Sequence, residues 1–152
     1  MLMDLDALKN LFSEGVIEAA LDKGQAVAKV KPSYLHQVLK VCKEDPRFKF
    51  NFLMDVIGVD YLGEVPRFEV VYHLHSIEQK QRIRLKARLH GADPVIESVT
   101  SVWRGANWYE REVFDLFGIK FLQHPDLRRI MMPDDWEGHP LRKDYPITGT
   151  RI

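Results

Sequence analysis

The 152-residue sequence has one cysteine, no net charge and no long apolar run. Cys42 has no second thiol within the chain, which excludes an intrachain disulfide and an iron–sulfur cluster of the chain's own, since such clusters usually take four thiolates. Lys and Arg total 22, as do Asp and Glu, so no net field attracts nucleic acid or anionic lipid. No window approaches the roughly 20 apolar residues that span a bilayer, and we expect no direct membrane insertion.

Common catalytic signatures are also missing. The nine glycines form no GxSxG elbow and no GxxxxGK[ST] or GxGxxG phosphate loop, and no HExxH motif occurs. A metal site could be assembled from His124, Asp126, Asp134, Asp135 and His139, but no helix or strand is predicted to fix these side chains. The sequence therefore predicts a chain without metal that is not catalytic by itself. A stand-alone enzyme that uses these histidines and acids is the alternative.

Apolar periods and turn residues predict an ordered domain over residues 1–118. Gly15 ends a first helical pattern, Gly24 closes a hairpin turn, and Ser33 is predicted as the N-cap of a second helix. The predicted segments are a helix over Asp4–Glu14, strands over Val16–Leu21 and Gln25–Val30, a helix from Pro32-Ser33 to Asp45-Pro46, and a strand over Phe50–Tyr61.

Two clean alternations then predict half-buried antiparallel strands, one around residues 68–75 and one around residues 82–89. A turn at Glu78-Gln79 would place Glu69 opposite Arg88 and His73 opposite Arg84. The outer face of the second strand carries four cations: Arg82, Arg84, Lys86 and Arg88. This basic face is either a solvated surface or a docking face for an acidic protein. Nucleic acid is not expected, because no aromatic residues interleave.

The last predicted elements of the domain are helices. Val95, Ile96, Val99, Val102 and Trp103 suggest a short helix. Trp108–Phe117 is predicted as another, with Asn107 as the cap, Glu110 at the capping-box position and Gly118 as the stop. The order of the main elements is α-β-β-α-β-β-β-α. It predicts an α+β fold, a mainly antiparallel sheet with helices on one face, followed by an extended C-terminal tail.

Residues 119–152 are predicted to be this extended, partner-binding tail. The segment has four prolines and no sustained period, yet it is too apolar for a solvated end. We interpret it as a tail that packs against a partner and the chain's own sheet together. A disordered end is the alternative. Arg111 and Asp115 are expected to form an i,i+4 ion pair, and Arg128, Arg129 and Arg142 to pair with partner carboxylates. The full set of predicted partner-binding residues is Glu110, Arg111, Asp115, His124, Arg128, Arg129, Trp136, His139, Arg142, Lys143 and Tyr145.

The same region resembles a known family. The motifs Glu110-Arg111-Glu112, Asp115-Leu116-Phe117-Gly118 and His124-Pro125-Asp126-Leu127-Arg128-Arg129-Ile130, with the run from Asp134 to Pro146, are similar to the C subunit of the proton-pumping NADH–quinone oxidoreductase, respiratory complex I. The resemblance is strong from Trp103 to Pro146 and weaker but consistent from Phe50.

The resemblance implies a cofactor-free structural subunit in the quinone module of the peripheral arm, on the cytoplasmic side of the bacterial inner membrane. It implies contacts with the large quinone-module subunit and other peripheral-arm subunits, while NADH, flavin, iron–sulfur clusters and quinone are bound elsewhere in the complex. Membrane-bound hydrogenase-type complexes share the family, so an equivalent subunit there is the alternative. The isolated chain could also self-associate through its tail.

Overall fold

The computed structural model describes residues 4–150. The described residues form three helices and seven strands. The helices are α1 (Leu5–Leu11), α2 (Pro32–Glu44) and α3 (Ala106–Phe117), and the strands are β1 (Val16–Asp22), β2 (Gln25–Val30), β3 (Phe52–Asp60), β4 (Phe68–Ser76), β5 (Gln81–Leu89), β6 (Val95–Glu97) and β7 (Lys120–Leu122). The predicted order of the main elements is confirmed.

Five strands form a mixed sheet in the order β1-β2-β5-β4-β3. Three neighbouring pairs are antiparallel, and β2 and β5 are parallel. The predicted register is confirmed, because Glu69 lies opposite Arg88 and His73 lies opposite Arg84. β6 and β7 form a separate parallel pair.

The core lies between the helices and one face of the sheet. Tyr72 and Leu85 of the sheet are fully buried, as are Val38 and Leu39 of α2. Gly58 lets α3 approach β3, since a Cβ at this position would lie 2.7 Å from the Phe117 ring. The alternation of the strands thus gives one buried face and one outer face, as predicted.

The predicted helix ends are partly confirmed. The Asp4 carboxylate caps α1 by accepting from the Ala7 N–H at 2.8 Å, and Gly118 ends α3 at φ +73°. The predicted caps at Ser33 and Asn107 are wrong. Pro32 already begins α2, and α3 begins at Ala106 after Gly105, without a side-chain cap in either case.

The predicted short helix around residues 95–103 is also wrong. Val95–Glu97 is a strand that pairs with β7, and a turn follows it. Ile96 and Val99 are buried as the pattern requires, but they reach the core from strand and turn backbone. The spacing of apolar residues here fits a strand as well as a helix, and the pairing of β6 with β7 decides in favour of the strand. Within residues 4–150, none of the helices has the length and apolar character that a membrane span requires.

Candidate partner-binding site

The tail after β7, residues 123–150, is here called the strap. Its first contacts lie on α3, the helix that carries the charge motif of residues 110–115. The residues just before the strap belong to the domain packing, because Ile119 and Phe121 are buried in the core. The strap is built of successive turns and bends without regular elements.

Asp115 of α3 is the anchor for the strap. Its Oδ2 accepts from the backbone N–H groups of Ile130, Met131 and Met132 at 3.0, 2.7 and 2.8 Å. Its Oδ1 accepts from Nη1 of Arg129 at 2.7 Å. Burial opposes ionisation of this carboxyl, but these four donors outweigh the burial and the Asp115 pKa is lowered. The carboxylate thus replaces the backbone partners that an irregular segment lacks.

Arg129 is the counterpart of Asp115 on the strap. Besides the carboxylate, its guanidinium donates to the backbone oxygens of Asp115, Trp136 and Gly138 at 3.2, 2.9 and 3.0 Å. One side chain therefore ties two turns of the strap to α3. The guanidinium fork suits this task, since it offers five donors in one plane.

Arg111 has a similar role one turn earlier on α3. Nε and Nη2 donate to the backbone oxygens of Arg128 and Arg129 at 3.1 and 3.0 Å. The predicted ion pair with Asp115 is wrong, because no Arg111–Asp115 salt bridge exists in the described chain. The strap offers both side chains buried partners that an isolated helix does not have.

The C-terminal part of the strap contacts the C-terminal end of α3. Nε of Arg142 donates to Phe117 O at 2.6 Å, and Nδ1–H of His139 donates to Asp115 O at 2.8 Å. These two side chains fill the space beside Gly118, where a Cβ would lie 2.6 Å from each. The C-terminal carbonyls of α3, which lack helical partners, are satisfied in this way.

A second carboxylate, Asp60 at the end of β3, was missed by the sequence reasoning. It accepts from Arg67 Nε at 2.7 Å and from the backbone N–H of Lys143 at 2.8 Å. The hydrogen bond from Arg67 is the largest effect on Asp60 and lowers its pKa. Nη2 of Arg67 also donates to Asp144 at 2.8 Å. No sequence period links residues 60, 67 and 144, so only the folded chain reveals this anchor.

Glu110 faces the core, and its predicted capping-box role is wrong. The side chain is fully buried and accepts from Ser98 Oγ at 2.6 Å and from the Val99 N–H at 2.7 Å. Burial raises its pKa to about 7, against the lowering effect of these two donors. Nε2 of His124 lies 3.9 Å away. Glu110 therefore holds the turn after β6 in place.

His124 begins the strap as a neutral ring. Its Nδ1 accepts from the Asp126 N–H at 3.0 Å, which leaves the proton on Nε2 to be donated to Asn107 O at 3.2 Å. Burial lowers the His124 pKa. Farther along, Tyr145 packs against Gly138 and its hydroxyl donates to Glu137 O at 3.3 Å. Trp136 is half-buried in the strap.

The outward side of the strap is different in character. Arg128 pairs only with Asp126, on an exposed surface, and Lys143 is exposed. Met131 and Leu141 are 61% and 52% exposed, and Ile147 is fully exposed. Leu141 also borders an open groove of about 230 Å³ between β3 and α3. The strap thus satisfies its polar groups inward and presents apolar side chains outward.

No group of three or more His, Cys, Asp or Glu side chains in residues 4–150 is placed to hold a metal ion. Cys42 is fully buried, and burial raises its pKa to about 12, so the thiol is inert at neutral pH. The polar side chains on the strap form structural hydrogen bonds.

Comparisons with known proteins agree on one family. Residues 28–151 match the family described as the respiratory-chain NADH dehydrogenase 30-kDa subunit. The chain is 51% identical over 142 residues to the NADH-quinone oxidoreductase C subunit of Citrifermentans bemidjiense, and the match spans 93% of this chain and 87% of that protein. It is 47% identical over 148 residues to the protein of the same name from a Roseiflexus species, with 97% and 85% covered.

Two solved structures are similar. One is the trypsin-resistant fragment (1-134) of Nqo5, with a TM-score of 0.69, 32% identity, and coverage of 80% of this chain and 97% of that one. The other belongs to the membrane-bound sulfane sulfur reductase, an archaeal respiratory membrane complex, with a TM-score of 0.78 and coverage of 93% and 85%. At 24% identity the second likeness shows the fold alone.

Proposed function

The chain belongs to the respiratory-chain NADH dehydrogenase 30-kDa subunit family, and we propose that it is the C subunit of an NADH–quinone oxidoreductase, respiratory complex I. It acts as a structural subunit of the peripheral arm, in the quinone module. Electron transfer from NADH to quinone, and the proton translocation coupled to it, are activities of the assembled complex.

One observation carries the proposed role: the strap is fastened inward by buried polar contacts while its outward side chains are apolar. Met131, Leu141 and Ile147 are exposed on the strap, which Asp115 and Arg129 fasten to α3. Exposed apolar groups on a pre-organised surface are typical of a protein interface. The large quinone-module subunit therefore binds over the outward side of the strap.

The sequence-predicted interface residues divide into two groups in this proposal. Arg128, Lys143 and the outward part of Tyr145 lie where a partner's carboxylates and apolar groups can reach them. Asp115, Arg129 and Arg142 shape the strap and act on the partner through its conformation. The other peripheral-arm subunits supply the flavin, the iron–sulfur clusters and the quinone cavity, and the complex holds this chain at the cytoplasmic side of the inner membrane.

The equivalent subunit of a hydrogenase-type complex is the second candidate. The likeness to the sulfane sulfur reductase chain concerns the fold alone, whereas the relatives near 50% identity carry the NADH–quinone name. Identification of the proteins that co-purify with the tagged chain separates the two. NADH-oxidising partners support complex I, and recovery of a nickel–iron large subunit would contradict it.

The proposed interface is tested by Met131→Ser with Leu141→Ser. The matched control is Ile17→Ser with Leu21→Ser on β1, because those side chains are 62% and 51% exposed, against 61% and 52% for the strap pair. We expect the strap pair to lower the yield of assembled complex and NADH–quinone activity in membranes at least tenfold, and the β1 pair to leave both unchanged. Equal yields from both pairs would contradict the proposed interface.

A further inference from the structure

The outer face of the sheet carries a row of cations. Arg82, Arg84, Lys86 and Arg88 occupy alternate positions on β5, so all four project from the face opposite the helices. Like charges this close repel one another, and nearby carboxylates relieve the repulsion. The distribution of carboxylates along the row therefore shows where the face has excess positive charge.

Carboxylates compensate this row unevenly. At one end, Arg88 pairs with Glu69 and Glu64, each at 3.1 Å. Arg84 has one distant carboxylate, Asp22, at 3.5 Å. Within the described residues, the side chains of Arg82 and Lys86 form no ion pair or hydrogen bond. The excess charge is therefore concentrated toward the beginning of β5.

A trough of about 180 Å³ lies at the same end of the face. Arg82, Arg84 and His73 line it, with Gln25 and Met54 from the flanking strands. One nitrogen of the lining, Arg84 Nε, is buried and has no hydrogen-bond partner. A buried donor without a partner is unfavourable, so a ligand that accepts from it gains a stabilising contact. The trough thus combines space, positive charge and unused hydrogen-bonding capacity.

We propose that this trough binds an oxyanion of the phosphate class. The two guanidinium groups and the imidazole present donors from three side chains, and a tetrahedral anion has an oxygen for each, whereas a carboxylate has two. The anion neutralises charge that the chain itself leaves uncompensated. This inference concerns a different face from the strap and does not depend on the proposed role in complex I.

His73 reports directly on the site. Burial is the main cause of its lowered pKa, and the positive charges of Arg84 and Lys86 lower it further, while Asp55 opposes them. A bound anion adds negative charge beside the ring and reverses the effect of the two cations. Binding should therefore raise the His73 pKa in addition to shifting its ring resonances.

The test is an NMR titration of the full chain with inorganic phosphate at constant ionic strength, with chloride as the balancing salt. We expect saturable shifts of the His73 ring resonances and a rise in its pKa. Arg82→Gln with Arg84→Gln should weaken the affinity about tenfold or more, as expected for the loss of charge-assisted hydrogen bonds. Lys86→Gln, on the same face but outside the trough, should leave the affinity within about twofold. Arg82→Gln alone serves if the double variant does not fold, since the Arg82 side chain is exposed and forms no hydrogen bond or ion pair.

Two further experiments identify the source and the class of the anion. The first uses vesicles of 30% phosphatidylglycerol in phosphatidylcholine. If these vesicles sediment the chain and Arg82→Gln abolishes the effect, the phosphate belongs to a lipid headgroup. If only soluble phosphate shifts the His73 resonances, the ligand is a small molecule. Acetate that binds as tightly as phosphate overturns the phosphate class. The absence of a saturable response in both the phosphate and vesicle arms, or a response that persists in the double variant, overturns the site itself.

Discussion

At the scale of single residues, Asp115 is the strongest determinant of strap position. One fully buried carboxylate accepts three backbone N–H groups and the Arg129 guanidinium. Asp115→Asn removes the charge and leaves Arg129 partly unpaired in a half-buried setting. We expect the free energy of unfolding in urea to fall by about 3 kcal/mol.

The matched control for this change is Asp126→Asn. Asp126 also pairs with an arginine of the strap, Arg128, at 2.8 Å, but both side chains are exposed. Pairs of this kind contribute at most about 1 kcal/mol. Similar losses in the two variants would show that the buried contacts of Asp115 do not stabilise the strap.

Glu110 makes stability depend on pH. Its pKa is about 7 when folded and near 4.5 when exposed, so between these values the folded state binds more protons than the unfolded state. Protonated Glu110 therefore stabilises the folded state fully below pH 4.5. This stabilisation, about 3 kcal/mol for a pKa shift of this size, is lost as the pH rises to 7.

Glu110→Gln isolates this contribution, because the amide still accepts from the Val99 N–H and does not titrate. We expect the variant to gain stability relative to the parent chain as pH rises from 4.5 to 7, measured by urea unfolding at each pH. The lowered pKa of His139 acts in both proteins and cancels in the difference. A difference that is flat with pH would mean that folding does not raise the Glu110 pKa.

At the scale of elements, the junction of α3 and the strap depends on Gly118. A residue with a side chain is strained at φ +73°, and its Cβ would also displace His139 and Arg142. Gly24→Ala is the matched control, because Gly24 has a φ of +79° and nothing within 4 Å of the added Cβ. We expect Gly118→Ala to reduce the free energy of unfolding by at least about 1 kcal/mol more than Gly24→Ala does. Equal losses would mean that backbone strain explains both, and that the strap contacts at this point contribute little.

The elements that the sequence predicts well are those with a local signal. The pairing of β4 with β5 follows from alternation, since a slip of one residue would expose Phe68, Val70 and Tyr72. The buried stripe of α2 follows from helical spacing, and Cys42 lies on it as expected. In these elements the local sequence pattern alone indicates which side chains are buried.

The strap could be predicted only in part, because its contacts are distant in sequence and have no period. Its apolar content predicts that it is covered, but the pairing of Asp115 with residues 129–132 depends on a fold that places the strap over α3. The anchor at Asp60, 83 residues from its Lys143 donor, is beyond any local rule. Short strands β6 and β7 were missed for the same reason, since neither is stable without the other.

At the scale of the whole molecule, the domain holds the strap in one conformation before any partner arrives. Polar groups of the strap form hydrogen bonds with α3 and with the end of β3. A partner would therefore bind the exposed apolar side chains of a strap that is already ordered. Such pre-organisation removes much of the entropic cost of association. It also predicts that the isolated chain and the assembled complex differ in strap accessibility more than in strap conformation.

Limited trypsin digestion measures this difference. In the isolated chain we expect cleavage after Arg128 or Lys143, and Asp115→Asn should accelerate it severalfold, because proteolysis follows the population of the opened segment. If the proposed interface is correct, the same two sites should resist cleavage within the complex, because the partner would cover the strap. Lys23, at the exposed β1–β2 turn, provides the internal control, and its cleavage rate should be the same in Asp115→Asn as in the parent chain. A strap that is cut equally fast in the complex and in the isolated chain would contradict both the interface and its pre-organisation.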